Sequence, residues 1–205
     1  MAKLFGLTPV KAYGLVPKKV YGIPFTTAYS KSWKVGAGAD DGYCMSTYLG
    51  TTDLLMYSGN FSGYSCNLYC RWQNVDIPAG AVITSAYLQF RAYYNLSTTT
   101  AKVRIYFNDV DSASNPTTVA DYNSKAVTTA YVDWTYPSTT AGQAYNSPDI
   151  TSIIQEIVDR GGWASGQHMM TLVKDNGSTS NIYRGWTTYD GYALYAPWLY
   201  VNYNA

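Results

Sequence analysis

The sequence predicts an all-β fold, a jelly-roll β-sandwich with one short helix and an extended N-terminal arm. Three features support this: composition, alternation of apolar and polar residues, and turn signals between the alternating segments. The 205 residues include 22 Tyr and 6 Trp, and only 13% are charged. Aromatic residues favour strands, and the charged fraction is about half the usual quarter. A single β-sandwich of this length is common.

Alternation is clearest in residues 82–95. One face there carries Ala86, Leu88, Phe90 and Ala92, and the other carries Tyr87, Gln89, Arg91 and Tyr93. Val103, Ile105 and Phe107 alternate with polar neighbours in the same way. Further strand candidates are residues 68–75, 127–134, 167–174, 181–188 and 197–203. Turn signals such as Asp175-Asn176-Gly177 separate them, as expected for a sandwich or jelly roll.

One helix is predicted within residues 147–161. Its apolar residues are spaced to lie on one helical face, and they are Ile150, Ile153, Ile154, Ile157 and Val158. Ser147 is placed as the N-cap and Pro148 at the first helical position, while Gly161 ends the helix. We expect this helix to cover one end of the sandwich.

Residues 1–39 differ from the rest and are predicted to form an extended basic arm, with residues 40–205 as the jelly-roll domain. The arm is rich in Tyr, Pro and Gly and holds six Lys without an acidic residue, whereas residues 40–205 hold 8 basic and 13 acidic residues. Prolines at 9, 17 and 24 disfavour helix and central strands. Arm and body therefore carry opposite charge.

Residues 77–90 match the pattern IP-x-GA-x-I-x-SA-x-L-x-F. This string resembles a strand pair of the DNRLRE-type and related carbohydrate-binding-module-like jelly rolls of bacterial surface proteins. Trp134, the 147–160 segment and the end of the chain fit as well, so that the likeness covers roughly residues 65–203. The resemblance implies a non-catalytic β-sandwich used in adhesion, sugar binding or extracellular structures. Such folds carry many unrelated functions.

Two departures from that family shape the functional prediction. The chain begins at Met1 without the apolar core of a secretory signal, and it bears the basic arm. We therefore predict a structural protein at a virion surface or in an extracellular assembly, such as a bacteriophage capsid-decoration protein. Its partners would be further copies of itself, as a homo-oligomer, or other capsid or fibre subunits. The alternative is a carbohydrate-binding or adhesion module.

The arm contains two similar units eight residues apart, Lys11-Ala12-Tyr13-Gly14-Leu15 and Lys19-Val20-Tyr21-Gly22-Ile23. Extended, the spacing spans about 26 Å, so that the units would fit two similar pockets or add a strand to a sheet edge. The residues predicted to bind neighbouring subunits are Lys11, Tyr13, Leu15, Lys19, Tyr21, Ile23 and Phe25.

Sugar binding would need exposed aromatic rings that stack on sugar faces. The residues predicted as a glycan platform are Tyr93, Tyr94, Trp186, Tyr189, Tyr192 and Tyr195, although packing or subunit contact explains Tyr-rich strands as well. Structural calcium is a candidate at Asp40, Asp41, Asp109 and Asp111, with turn capping as the alternative. No other cofactor is predicted.

No catalytic residue is predicted, because His168 is the sole imidazole and no nucleophile motif accompanies it. The acidic body argues against nucleic acid as a partner, and no apolar run of 18 residues supports membrane insertion. Cys44, Cys66 and Cys70 allow one disulfide, a zinc site with His168, or buried free thiols, of which free thiols are the main expectation.

Overall fold

Alternating residues build one of the two inner strands in the smaller of the two sheets that pack together. In the computed structural model, which describes residues 19–20, 23–24, 26–97 and 101–205, strand β8 (Val82–Arg91) buries Ala86, Leu88 and Phe90 as predicted. The smaller sheet is antiparallel, in the order β11 (Ala144–Asn146), β8, β14 (Trp198–Asn204) and β3 (Ala28–Lys34). Its polar face turns outward, as expected for a sheet covered on one side.

The larger sheet has eight strands and packs across the smaller one. Six run in the order β10 (Val132–Thr135), β9 (Lys102–Phe107), β12 (Gln167–Asp175), β7 (Tyr64–Val75), β4 (Asp41–Met45) and β5 (Tyr48–Gly50). Strand β6 (Leu55–Phe61) pairs with β7 and with β13 (Tyr183–Thr187). The all-β sandwich predicted from the sequence is confirmed.

The core lies between the sheets and is centred on Trp186. Its indole stacks on Trp134, with ring centroids 6.1 Å apart, and packs against Phe90 and Tyr136. The indole nitrogen donates to the Ser58 hydroxyl at 3.1 Å, and that hydroxyl also bonds the Tyr136 hydroxyl at 2.8 Å. Buried Trp and Tyr usually need such partners, and here the polar tips of Trp186 and Tyr136 both have one.

Two helices accompany the sheets. Helix α2 (Thr151–Val158) buries four of the five apolar residues predicted for its inner face, and the fifth, Ile150, is buried at the N-cap position just before it. Helix α1 (Val119–Ser124) was not predicted from the sequence, and the Thr118 hydroxyl caps it by accepting the Asp121 N–H at 3.0 Å. Within the described ranges, no helix is long and apolar enough to cross a membrane.

The predicted helix start at Ser147 is wrong, because residues 147–150 pair with a strand instead. The Leu88 N–H donates to the Ser147 hydroxyl at 2.9 Å, and the Ala86 N–H donates to the Asp149 carboxylate at 3.3 Å. The helix begins at Thr151, whose N–H is accepted by Asp149 at 2.9 Å. The segment thus completes the free edge of β8, which would otherwise leave backbone donors unpaired.

Part of the predicted arm is built into the sandwich. Strand β3 pairs with β14 along its whole length, from Ala28 opposite Asn204 to Lys34 opposite Trp198. The Thr27 N–H donates to the Ala205 carbonyl at 2.9 Å. The chain therefore enters the body beside its own C-terminus, at the end of the smaller sheet where β8 begins. The boundary between arm and domain at residues 39 and 40 stays a prediction.

We expect Trp186→Ala to lower the free energy of unfolding by about 3–5 kcal/mol, because it removes a large ring from the centre of the core and one of the two hydrogen-bond partners of the Ser58 hydroxyl. Urea titration followed by circular dichroism measures this. Tyr64→Ala is the matched control, since Tyr64 is 53% exposed, and it should cost less than about 1 kcal/mol. Equal losses in both variants would contradict the central role of Trp186.

Candidate functional site

The residues predicted to bind neighbouring subunits fall largely outside the described residues. Those outside are Lys11, Tyr13, Leu15, Tyr21 and Phe25. Lys19 lies in strand β1 (Lys19–Val20) and Ile23 in β2 (Ile23–Pro24), which pair antiparallel with Val20 opposite Ile23. Only Tyr21 and Gly22 separate the two strands, the length of a tight hairpin connection. The described residues of the second unit therefore lie side by side in two paired strands and do not form one extended strand.

Three of the predicted glycan-platform residues come together at one cavity of about 200 Å³. Tyr93, Tyr192 and Tyr195 line it with Ala92, Gly142, Thr187 and Gly191. The rings of Tyr192 and Tyr195 meet edge to face at 4.6 Å, and each of the three tyrosines is at least 37% exposed. These rings are accessible to a ligand.

Arg91 fixes one wall of this tyrosine cavity. Its guanidinium lies 4.2 Å above the centre of the Tyr195 ring and donates to the Gly142 carbonyl at 2.7 Å. Cation–π contact and hydrogen bond hold the ring in place before any ligand arrives, which reduces the entropy lost on binding.

The other predicted platform residues do not line the cavity. Trp186 is fully buried in the core, so that its assignment as a sugar-stacking residue is wrong. Alternation of apolar and polar residues did not indicate that Trp186 is buried, because its neighbours in β13 are buried as well. Tyr189 is half-buried and packs against the core. Tyr94 is also half-buried and meets the Tyr93 ring edge to face at 4.9 Å.

A second cavity, which was not predicted from the sequence, lies on the larger sheet. This acidic cleft has a volume of about 300 Å³, and its lining residues are Tyr43, Tyr48, Asp53, Leu54, Leu55 and Tyr57. Asp53 is the only charged residue among them. The sequence signal was weak, because Tyr48 and Asp53 come from a hairpin and the loop after it, where no periodic pattern extends.

Hydrogen bonding and ring packing set the shape of the acidic cleft. The Tyr48 hydroxyl donates to both carboxylate oxygens of Asp53, at 2.8 and 3.0 Å. The Tyr43 ring meets Tyr57 edge to face at 5.3 Å and Tyr48 at 5.7 Å. Gly50 is required here, because a Cβ at that position would lie 2.1 Å from the Asp53 carboxylate.

The phenols of the acidic cleft stay neutral at physiological pH. Burial, followed by the charge of Asp53, raises the pKa of Tyr43, and the hydrogen bond to Asp53 raises the pKa of Tyr48. The cleft therefore presents aromatic rings around one acidic group.

The two cavities are neighbours on one exposed surface. A Cβ on Gly191, which lines the tyrosine cavity, would lie 1.9 Å from the carbonyl oxygen of Leu54, which lines the acidic cleft. Leu54 is 57% exposed, and Tyr48 and Leu194 are exposed as well. We call this surface, formed by the two cavities and Leu194, the tyrosine face. Clusters of exposed large apolar residues are typical of binding surfaces.

The four calcium candidates lie in two groups, and most of their oxygens already have donors. Asp40 is fully buried and accepts from Arg71 Nε at 2.7 Å, Gln73 at 2.6 Å and Asn115 at 2.9 Å. Arg160 bridges the other two, bonding Asp109 and, at 2.8 Å, Asp111. Within the described ranges, no group of three or more His, Cys, Asp or Glu is placed to hold a metal ion. Arg71 supplies the positive charge next to Asp40, and Arg160 supplies it next to Asp109 and Asp111.

Asp41 is buried without a charged partner. One of its carboxylate oxygens accepts the Tyr189 N–H at 2.9 Å, and the other has no hydrogen-bond partner. Burial raises the pKa of Asp41 to about 8, and the charges of Asp190 and Asp40 act in the same direction. Asp41 is therefore protonated at neutral pH in the folded protein.

The sulfur and imidazole groups have structural positions. Cys44, Cys66 and Cys70 are buried free thiols, as the main expectation had it. Burial raises the pKa of Cys66 to about 11, which keeps it unreactive. His168 accepts the Asn74 N–H through Nδ1 at 3.1 Å.

Comparison with known proteins gives only distant structural similarity. No family model matches the sequence. No curated protein matches it either. A solved structure from Desmodium yellow mottle tymovirus matches with a TM-score of 0.34 and 10% identity, over 95% of this chain and 94% of that one.

A second similar structure is a mutant VP2 protein of infectious bursal disease virus, from derived T=1 particles. It matches with a TM-score of 0.27 and 14% identity, over 95% of this chain and 40% of that one. Both structures come from viruses, but likeness at these TM-scores carries no conclusion about this chain's function.

The buried Asp41 predicts a pH dependence of stability. Between about pH 5 and 8 the folded state holds a proton that the unfolded state, with a pKa near 4, has released. The free energy of unfolding should therefore fall as pH rises across this window, by up to about 1.4 kcal/mol per unit. Urea titrations at pH 5, 6, 7 and 8 measure the slope.

Asp41→Asn is the control for this slope. The amide oxygen retains the bond from Tyr189 and carries no charge, so that the slope should flatten. An unchanged slope in the variant would show that another group titrates.

Proposed function

We propose that the protein is a non-catalytic structural subunit of a viral or extracellular assembly, of the virion-surface or capsid-decoration type. In this proposal residues 1–25 bind a neighbouring subunit. The observation that carries it is the fixed exit of the arm: β3 is paired along its full length with β14, so that everything before Thr26 starts from a rigid point beside the C-terminus.

Charge supports this proposal. Residues 1–25 contain four Lys and no acidic residue, while residues 40–205 carry a formal charge of −5. Exposed ion pairs contribute about 0–1 kcal/mol each, so that charge assists docking and burial of the apolar arm residues supplies most of the binding energy. An arm with both features suits contact with a second copy.

We expect deletion of residues 1–25 to leave a folded body that no longer assembles. The deletion stops before Thr27, whose backbone bonds Ala205, and leaves β3 in place. Circular dichroism should show an unchanged Tm, and sedimentation velocity should show loss of the larger species.

Deletion of residues 1–35 is the contrasting variant. It removes β3 and exposes the edge of β14, so that its Tm should fall. If the protein without residues 1–25 assembles like the intact chain, the proposed role of the arm is wrong.

A carbohydrate-binding or adhesion module is the second candidate, and the tyrosine cavity favours it. Tyr93, Tyr192 and Tyr195 offer exposed rings, and Arg91 holds one of them in position. Such preorganised aromatic rings suit stacking against sugars. The two functions are compatible in a protein that coats a particle and also contacts glycans.

We expect a glycan array to give a hit that weakens by about 1–3 kcal/mol in Tyr192→Ala, as for a stacked aromatic anchor. Tyr64→Ala is the control, because Tyr64 is equally exposed but lies away from the cavity. Absence of binding across a broad array, or equal loss in both variants, would leave these tyrosines as packing or contact residues.

A further inference from the structure

The acidic cleft has the chemistry of a site for a cationic side chain. Tyr43 forms its nearly buried floor, while Tyr48 is 44% exposed at its rim. Asp53 carries the only charge among the lining residues, and Tyr48 orients its carboxylate through two short hydrogen bonds. Aromatic rings around a carboxylate attract an ammonium group by cation–π contact and by charge.

The size of the cleft suits a side chain or a small headgroup. Its volume of about 300 Å³ lies at the lower end of the range for ligand pockets. Leu54 and Leu55 add apolar surface, against which the methylene chain of a lysine can pack while its ammonium group approaches Asp53.

The arm supplies such cations. Four lysines lie in residues 1–25, namely Lys3, Lys11, Lys18 and Lys19, and no acidic residue competes with Asp53 for them. Two of them begin the repeated units, in which a tyrosine follows two residues later. A bound unit would therefore bring an aromatic ring close to the exposed rings of the tyrosine face.

The cleft lies far from the point where the chain's own arm leaves the body. Strand β7 ends at Val75 beside β3, because Lys31 of β3 pairs with Asp76 at 2.8 Å, three residues along β3 from Ala28 at the exit end. Tyr43 pairs with Leu68, seven residues before Val75. Seven steps of about 3.3 Å therefore separate the level of Tyr43 from the Val75 end of β7, roughly 23 Å along the strand.

The pairing of β1 with β2 limits how far the backbone of Lys19 lies from the body. Lys19 pairs with Pro24, so that the chain returns on itself within six residues. Pro24 is four residues before Ala28 and lies at most about 14 Å from it. The backbone of the chain's own Lys19 is thus held near the exit end of the body, whereas the arm of an adjacent copy has no such restriction.

From this geometry we propose that the acidic cleft of Tyr43, Tyr48, Tyr57 and Asp53 binds a lysine side chain from residues 1–25 of a neighbouring copy. The inference rests on the proposed function, in which the arm contacts other subunits, and specifies where it docks. The contact joins one end of a subunit to the far end of the next.

Zero-length carbodiimide coupling tests the contact directly. Equal amounts of unlabelled and ¹⁵N-labelled full-length protein are mixed under assembling conditions, coupled, digested and analysed by mass spectrometry. We expect amide links between Asp53 and arm lysines that join labelled with unlabelled peptides. Links only within one isotope would place the chain's own arm in the cleft, and absence of Asp53 links while other carboxylates react would leave the cleft unoccupied. Either result overturns the proposal.

Substitution gives a second, independent readout. Asp53→Asn removes the charge with little change in shape, and we expect it to weaken self-association about tenfold in sedimentation experiments. Asp190→Asn is the matched control, since Asp190 is an exposed carboxylate beside Gly191 that does not line the cleft, and it should change association less than about twofold. Circular dichroism confirms that both variants fold.

The two proposals fail in different ways. If deletion of residues 1–25 abolishes assembly but Asp53→Asn associates like the intact protein, the arm binds elsewhere and only the docking site is wrong. If the deletion has no effect, the proposed function itself is wrong, whatever Asp53→Asn does.

Discussion

The packing of Trp186 between the two sheets is the contact on which the rest of the structure depends. Strand β13, which carries it, belongs to the larger sheet, and a bridge from Trp186 to Ala92 joins it to the end of β8 in the smaller one. The indole therefore lies where the sheets meet, and its hydrogen bond to Ser58 fixes its orientation. Its neighbour Thr187 lines the tyrosine cavity, and Gly185 and Thr187 pair with Tyr57 and Leu55 of the acidic cleft, so that the same contact positions both cavities of the tyrosine face.

The sequence predicted those parts of the fold in which local pattern and tertiary burial agree. Alternation placed Leu88 and Phe90 in the core, and helical spacing placed Ile153 and Ile157 there. The sequence-based prediction was wrong where contact with a segment distant in the sequence determined the local structure. Ser147 is a residue type that commonly caps helices. In the fold its hydroxyl instead accepts the Leu88 N–H at the edge of β8, and the sequence does not indicate that Leu88 lies beside it.

The candidate site was partly predictable for the same reason. Tyr93 and Tyr192 lie in irregular segments outside the strands and Tyr195 ends a short 3-10 helix, and the three do meet at one cavity. Trp186 was misassigned because composition does not tell which face of a short strand turns inward. The acidic cleft was not predicted because its lining residues come from a hairpin, the loop after it and the start of β6. No spacing in the sequence indicates that Tyr48 and Tyr57 lie on one surface.

The proposed contact between the arm of one copy and the acidic cleft of the next has a consequence for the size of any assembly. A contact between two unlike surfaces is not used up by one pairing, as a two-fold symmetric contact is; each added subunit presents a fresh arm and a fresh face. Addition of subunits then stops only if the angle between successive subunits closes a ring, or if an underlying particle has a limited number of binding sites for them. The number of copies would thus be set by geometry outside the contact, and not by its affinity.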